Sequence, residues 1–340
     1  MKFSVLIALS ALLFGTATTM ASASDPSYKV IKKVPLGGEG AWDYLTVDSA
    51  HSKLYVARFN RVMVIDTDSN KLINTILPEG SPQGGIHGIA IVPDVERGYF
   101  TSGKDGSVRF FDLKKQEEKG SITVGEGPDA IIYEPNSKMI FCFNHKGGTV
   151  SIIDPQTNKV TSTIELNGEP EAGVSDENGH VFVNLEDKSE IAVIDTAKMA
   201  VSARYPVAPG AQPSGLAIDT AHHRLFSGCH NQNLVILDSE SGKVVGTVPI
   251  GAKNDGCAFD ATTQTAFASN GAGTMTVIRE DDPNTFRVID NVETQKGSKT
   301  MALDAKTHKI YLATNERETK PGSTAQRVIP DSFALLIIGQ

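Results

Sequence analysis

From Val62 to Ile76 the chain reads VMVIDTDSNKLINTI: an apolar run, an Asp, a short polar turn and a second apolar run. The pattern returns as VSIIDPQTNKVTSTI from Val150, IAVIDTAKMAVSARY from Ile191 and LVILDSESGKVVGTV from Leu234, with a looser copy, VRFFDLKKQEEKGSI, from Val108. Short apolar runs rich in Val and Ile, bounded by Asp, Asn, Ser and Gly, predict antiparallel strands joined by tight turns. The hairpin aspartates Asp66, Asp112, Asp154, Asp195 and Asp238 recur at a period of roughly 40 residues. No helical period survives in the body of the chain.

A second pair of apolar runs precedes each hairpin, as in GLAID (Gly215–Asp219) and RLFS (Arg224–Ser227). Each repeat therefore holds four short strands, here called A to D, and repeats of that length and content are propeller blades. The expected fold is an all-β, seven-bladed β-propeller of four-stranded antiparallel blades. Blade one runs from about Trp42 to Leu77, two from Gly88 to Val124, three from Pro128 to Leu166 and four from Pro170 to Val207. Blade five spans Pro213–Ile250 and blade six Asn254–Val292, where the hairpin has drifted to MTVIREDDPNTFRVI. Blade seven starts near Lys299 and ends on FALLII, Phe333–Ile338, one strand short. The orphan strand Tyr28–Leu36 (YKVIKKVPL) supplies it, which closes the ring and covers two open edges.

Ahead of that strand, Lys2, the apolar run Val5–Phe14 and the small residues Ala21-Ser22-Ala23 have the form of a cleaved export signal. Cleavage is expected after Ala23, leaving residues 24–340 as a single domain, periplasmic or secreted, monomeric and without a transmembrane anchor. With 32 Lys+Arg against 40 Asp+Glu the chain is acidic, so no nucleic-acid partner is expected. Cys142, Cys229 and Cys257 show no metal-ligand spacing and no haem-attachment motif; Cys229 and Cys257 lie in neighbouring repeats, either paired or buried as thiols.

The tetrapeptides YVAR (Tyr55–Arg58), FVNL (Phe182–Leu185) and YLAT (Tyr311–Thr314), the VIDT hairpins and entries such as GEGPDA (Gly125–Ala130) are similar to those of the YVTN-repeat β-propeller proteins. The resemblance covers nearly the whole chain after the leader and implies an exported bacterial propeller. It implies no single activity, since related seven-bladed propellers include binding modules, a haem-carrying domain and a lyase.

Propeller topology sorts the eight histidines by face. His51, His180, His222, His223 and His308 fall in A-to-B turns and read as solvated turn residues. On the other face, His87 precedes strand A of blade two, while His145 and His230 sit in the B-to-C loops of blades three and five. There Asp43, Asp129 and Asp255 share one repeat position, filled by Ser214 and Lys299 in blades five and seven, with Glu171 close to it and Trp42 beside it. Arg58, Asn144, Asn254 and Asn270 add polar groups near the channel mouth. The polar insertion Glu316–Ser332, with Pro321-Gly322 as hinge, is a candidate lid over that face. The hairpin aspartates, five times repeated at turn spacing, are structural.

These residues support three functions. The leading one is a binding module taking a small molecule, glycan or protein at the channel mouth through Trp42, Asp43, Arg58, Asp129, Asn144, Glu171, Asn254, Asp255 and Lys299. The alternative is a metal-assisted lyase or lactonase, with His87, His145 and His230 as ligands or bases, because imidazoles beside carboxylates can hold a divalent ion or move a proton. The third is carriage of a haem-type cofactor by a channel-mouth His. No nucleophile elbow, phosphate loop or dinucleotide fingerprint is present.

Overall fold

The computed structural model describes residues 25–76, 85–319 and 326–340. Among these residues seven four-stranded antiparallel sheets form the propeller, and a separate two-stranded hairpin projects from blade seven. Blade one is typical: strand A Trp42–Asp48, B Lys53–Arg58, C Arg61–Asp66 and D Lys71–Ile76. Strand A of blade two begins at Ile86 rather than at Gly88, which brings His87 into the strand. The export signal and its cleavage point lie outside the described residues. Among the described residues no helix is long and apolar enough to cross a membrane.

The strand pattern follows the burial each position receives. Strands B and C are packed by blades on both sides, so Leu54–Ala57 and Val62–Ile65 are continuously buried. Strand D is outermost and alternates, as in Lys159–Glu165. Core clusters sit between blades: Tyr55, Val62 and Val64 of blade one pack against Ile89, Phe100 and Phe111 of blade two. Each such side chain contributes about 1.5–3 kcal/mol when fully buried.

The hairpin aspartates are turn caps. Asp66 accepts the Ser69 N–H at 2.7 Å, Asp195 the Lys198 N–H at 2.9 Å and Asp238 the Ser241 N–H at 2.9 Å. Those bonds hold their carboxyls below the usual range: the Ser69 bonds come first for Asp66 and the Lys198 bonds for Asp195, while for Asp238 burial works in the opposite direction and is overcome.

Ring closure is as the sequence implies. Strand Lys29–Pro35 is the outer strand of blade seven, antiparallel to Ala334–Gly339, with Val34 opposite Leu335. Just ahead of it, Tyr28 packs edge-on against Phe267 of blade six, ring centroids 5.2 Å apart. Inside the insertion, Arg317–Thr319 and Gln326–Val328 pair as a short hairpin. The hinge Pro321-Gly322 lies outside the described residues. Cys229 and Cys257 are not bonded to one another; with Cys142 they remain thiols. Burial pushes Cys229 up to about 11 and Cys257 up to about 12, which makes both inert.

Candidate functional site

One repeat position builds the site. At the entry of strand A in blades one to six the pairing to strand B slips, between Trp42 and Leu45, Ile86 and Ile89, Pro128 and Ile131, Pro170 and Gly173, Pro213 and Leu216, and Asn254 and Gly256. A bulge re-aims the side chain that it carries. The residue after each entry is Asp43, His87, Asp129, Glu171, Ser214 or Asp255, and register places Lys299 there in blade seven. His87 and Glu171, set apart in the sequence reading, thus belong to the same ring as the three aspartates.

Neighbours around the ring touch. His87 Nδ1 lies 2.6 Å from Asp43 Oδ2 and 3.1 Å from Asp129 Oδ1, joining three blades. Ser214 donates to Asp255 Oδ1 at 2.9 Å, and Lys299 Nζ lies 2.6 Å from Asp255 Oδ2. The Thr300 hydroxyl donates to the Asp43 carbonyl at 2.8 Å and closes blade seven onto blade one.

The residue following strand B faces the same mouth. Its N–H is pinned to the loop ahead of strand A: Gly103 N to Gly85 O, His145 N to Gly127 O, Glu186 N to Glu169 O and His230 N to Gln212 O. His145 Nδ1 is thereby held 3.2 Å from Glu171 Oε1, and His230 Nδ1 3.3 Å from Glu186 Oε1. Two donor sets result, Asp43–His87–Asp129 and His145–Glu171–Glu186, each with ligand atoms within 4.8 Å of one another. His87, His145 and His230 do not form one set. Glu186 escaped the sequence reading, although it shares its repeat position with His145 and His230.

Burial and neighbouring carboxylates raise the proton affinity of Asp129 and Glu171. Burial first and Asp43 second push Asp129 up to about 6; burial, then Asp129 and Asp255, push Glu171 up to about 9. Burial opposes the charged form of His87, but the Asp43 hydrogen bond and the Asp129 charge outweigh it and raise its pKa. Lys299 is likewise raised, with Asp255 overcoming burial. A cavity of about 580 Å³ opens above the ring, walled by Trp42, Phe59 and Ile86 and floored by Tyr44.

Several expected members turn elsewhere. Arg58 is fully buried; its guanidinium donates to the carbonyls of Gly38, Glu39 and Gly40 and lies 3.6 Å over the Phe333 ring. Asn144 donates to Thr149 and Ser151, Asn254 to the Gly256 and Ser269 carbonyls, and Asn270 to Thr274 and Thr276. All four brace the entry loops and blade interiors instead of facing a ligand. Trp42 does line the cavity, against Phe333. His87 rests its outer edge on Gly103, where an added Cβ would lie 3.0 Å from Nε2. Its inward nitrogen meets two carboxylates, a setting that suits a cation better than the axial position of a haem.

On the far face His51 and His180 are solvated as expected, and the turn histidines also carry acidic partners. His51, His180 and His308 pair with Asp48, Asp176 and Asp260 at 2.7–2.9 Å, and His222 sits between Asp219 and Glu280.

No family model matches the chain. An uncharacterized protein, YncE, of Salmonella typhimurium is 23% identical over 187 residues, 53% of this chain and 52% of that protein, and its Salmonella typhi counterpart is 22% identical over the same length. The match therefore spans about half the length of these curated relatives. Solved structures share the fold. Kuenenia stuttgartiensis hydrazine synthase has a TM-score of 0.71 at 15% identity over 87% of this chain and 96% of that one. U3-55K reaches 0.77 at 10% identity over 92% and 100%, and the RRP9 WD40 repeats 0.74 at 10% over 90% and 97%. At those identities the likeness is one of architecture: the chain is a seven-bladed β-propeller, a fold suited to binding.

Proposed function

We propose that this protein is an exported binding module of the YVTN-repeat type that takes a small molecule into its channel mouth, with a divalent cation held by Asp43, His87 and Asp129. One observation carries this reading: three neighbouring blades deliver two carboxylates and an imidazole to a common point at the base of a cavity of about 580 Å³. Carboxylate oxygens and an imidazole nitrogen are the donors of a borderline or hard divalent ion, and an open cavity above leaves coordination positions for a ligand. A recess of that volume matches small molecules better than a flat protein surface does. Asp255, Lys299 and Glu171 complete the ring and would choose among ligands by charge.

The test is calorimetric titration of metal-stripped, untagged protein with Mn²⁺ and Zn²⁺. The wild type should take a cation at the mouth, and Asp43→Asn combined with Asp129→Asn should lose it while Glu280→Thr keeps it. A double variant that binds as the wild type does would overturn the reading.

The metal-assisted lyase or lactonase reading draws on a separate feature, the His145–Glu171 pair at 3.2 Å beside the same cavity. An imidazole and a carboxyl at that distance can pass a proton to or from a ligand held by the cation. Turnover of a lactone panel that vanishes in His145→Ala but survives in Trp42→Phe would move the protein from binder to enzyme.

A further inference from the structure

Opposite the channel mouth, the end of strand A in blade five faces strand C of blade six. There Asp219, His222 and Glu280 bring one ligand atom each within 4.8 Å of one another. His222 Nδ1 lies 2.7 Å from Asp219 Oδ2 and 3.0 Å from Glu280 Oε1. The carboxylates are buried, with side-chain exposures of 1% and 0%, while His222 keeps 30% and forms the outer edge. Asp219 Oδ1 caps the Ala221 N–H and its Oδ2 is met only by the His222 ring, while Glu280 Oε2 has no hydrogen-bond donor. Two carboxylates taken out of water around one imidazole, with the Glu280 Oε2 oxygen left over, are costly unless something positive meets both. The nearby guanidinium of Arg224 is committed elsewhere, to Asp238, the Pro283 carbonyl and Asn284.

Comparison among the repeats shows how the cluster arises. Strand register equates Glu280 with Thr67, Leu113, Pro155, Thr196 and Ser239, the residues that follow the hairpin Asp in blades one to five. None of those carries a charge. In blade one, Asp48 and His51 make the same contact three residues apart at 2.8 Å. The equivalent residue of the next blade is Leu113, so no second carboxylate arrives and His51 stays well exposed at 60%. Blade six alone supplies an acid, on the strand whose hairpin departs from the consensus.

We propose that Asp219, His222 and Glu280 are the ligands of a second divalent-cation site, of the zinc class, that clips blade five to blade six on the face away from the cavity. Two carboxylate oxygens and one imidazole nitrogen are three ligands of a tetrahedral site, and the exposed side of His222 admits water as the fourth. A dication balances the two carboxylates. The site makes no use of the channel-mouth ring and stands whether or not that ring binds a cation.

The experiment uses the full chain carrying Asp43→Asn, Asp129→Asn and Glu186→Gln, which disables both donor sets at the mouth. Metal-stripped protein is titrated with Zn²⁺ by equilibrium dialysis, with thermal melting as a second measurement. One equivalent should bind and raise the melting temperature, and Co²⁺ in its place should give visible d–d absorption. Glu280→Thr, which restores the residue of blades one and four, should weaken Zn²⁺ binding by more than about tenfold and abolish the melting shift. Glu280→Gln keeps the side-chain shape and guards against a folding artefact. A background protein that binds no Zn²⁺ would overturn the proposal, as would equal binding by the Glu280 variants; the cluster would then be a shared proton alone.

Discussion

The two clusters Asp43–His87–Asp129 and Asp219–His222–Glu280 contain the same donors, two carboxylates and an imidazole, yet their surroundings differ. At the mouth the side-chain exposures are 20%, 35% and 17%, and a cavity opens above. On the far face they are 1%, 30% and 0%, and the groups are wedged between two sheets. Structural metal sites are closed by protein ligands, while working sites keep a position open. Position along strand A decides which kind arises. Its entry is bulged and looks into the channel, whereas its exit is capped by a turn and covered by the next blade.

Both clusters depend on a closed ring, so the largest effect should come from removing residues 24–36. That deletion strips the outer strand from blade seven and should lower the melting temperature by roughly 10 °C or more. A truncated protein that melts like the wild type would show that the terminal pairing is dispensable.

The two histidines should separate next. His222→Ala in metal-free protein leaves two buried carboxylates facing each other and should cost about 2 kcal/mol in urea unfolding. His87→Ala, beside an open cavity, should stay within about 0.5 kcal/mol while losing cation binding at the mouth. Equal destabilisation would erase the contrast between the sites.

A smaller effect concerns ligand choice. Lys299→Ala removes the mouth's one ring ammonium and should leave the melting temperature unchanged. It should weaken binding of anionic ligands relative to neutral ones by a few fold, checked by competitive titration.

The smallest contrast involves a carboxylate outside both clusters. The Asp238 pKa is depressed in the folded state, so the stability it contributes is present above the unfolded value near 4 and is lost as pH falls through the folded value. Asp238→Asn should therefore flatten the acid limb of the stability profile below about pH 4 and leave cation binding untouched. An unchanged acid limb would contradict the capping role.

How much of this the sequence disclosed depended on side-chain parity. Blade count, ring closure and the role of the hairpin aspartates follow from repetition, and the structure bears them out. Asp43, Asp129, Asp255, Ser214 and Lys299 were legible as one position because their entries align without gaps. His87 was not placed with them because strand A of blade two was begun at Gly88, past it, and Glu171 because it stands as Glu where its neighbours carry Asp. Arg58, Asn144 and Asn270 were misplaced by one residue of alternation. They share the last position of strand B with Leu185, Cys229 and Thr314, an occupancy that signals an interior site. The next residue, represented by His145, Glu186 and His230, is the one that faces the mouth. Glu280 looked like decay of a repeat, and its partner Asp219 lies in another blade, a contact that periodicity does not report.

The pairing of Lys29–Pro35 with Ala334–Gly339 also governs how the molecule is made. Strand Lys29–Pro35 is synthesised before the other six blades and its partner after them, so throughout elongation it has nothing to pair with. Partial chains present an open edge at blade one and an unclaimed strand, both prone to adhere to other chains. Loop-closure entropy makes so distant a contact slow to find. The propeller is therefore vulnerable until its last strand arrives, and the lysines Lys29, Lys32 and Lys33 on that exposed strand are a built-in deterrent to mispairing while it waits.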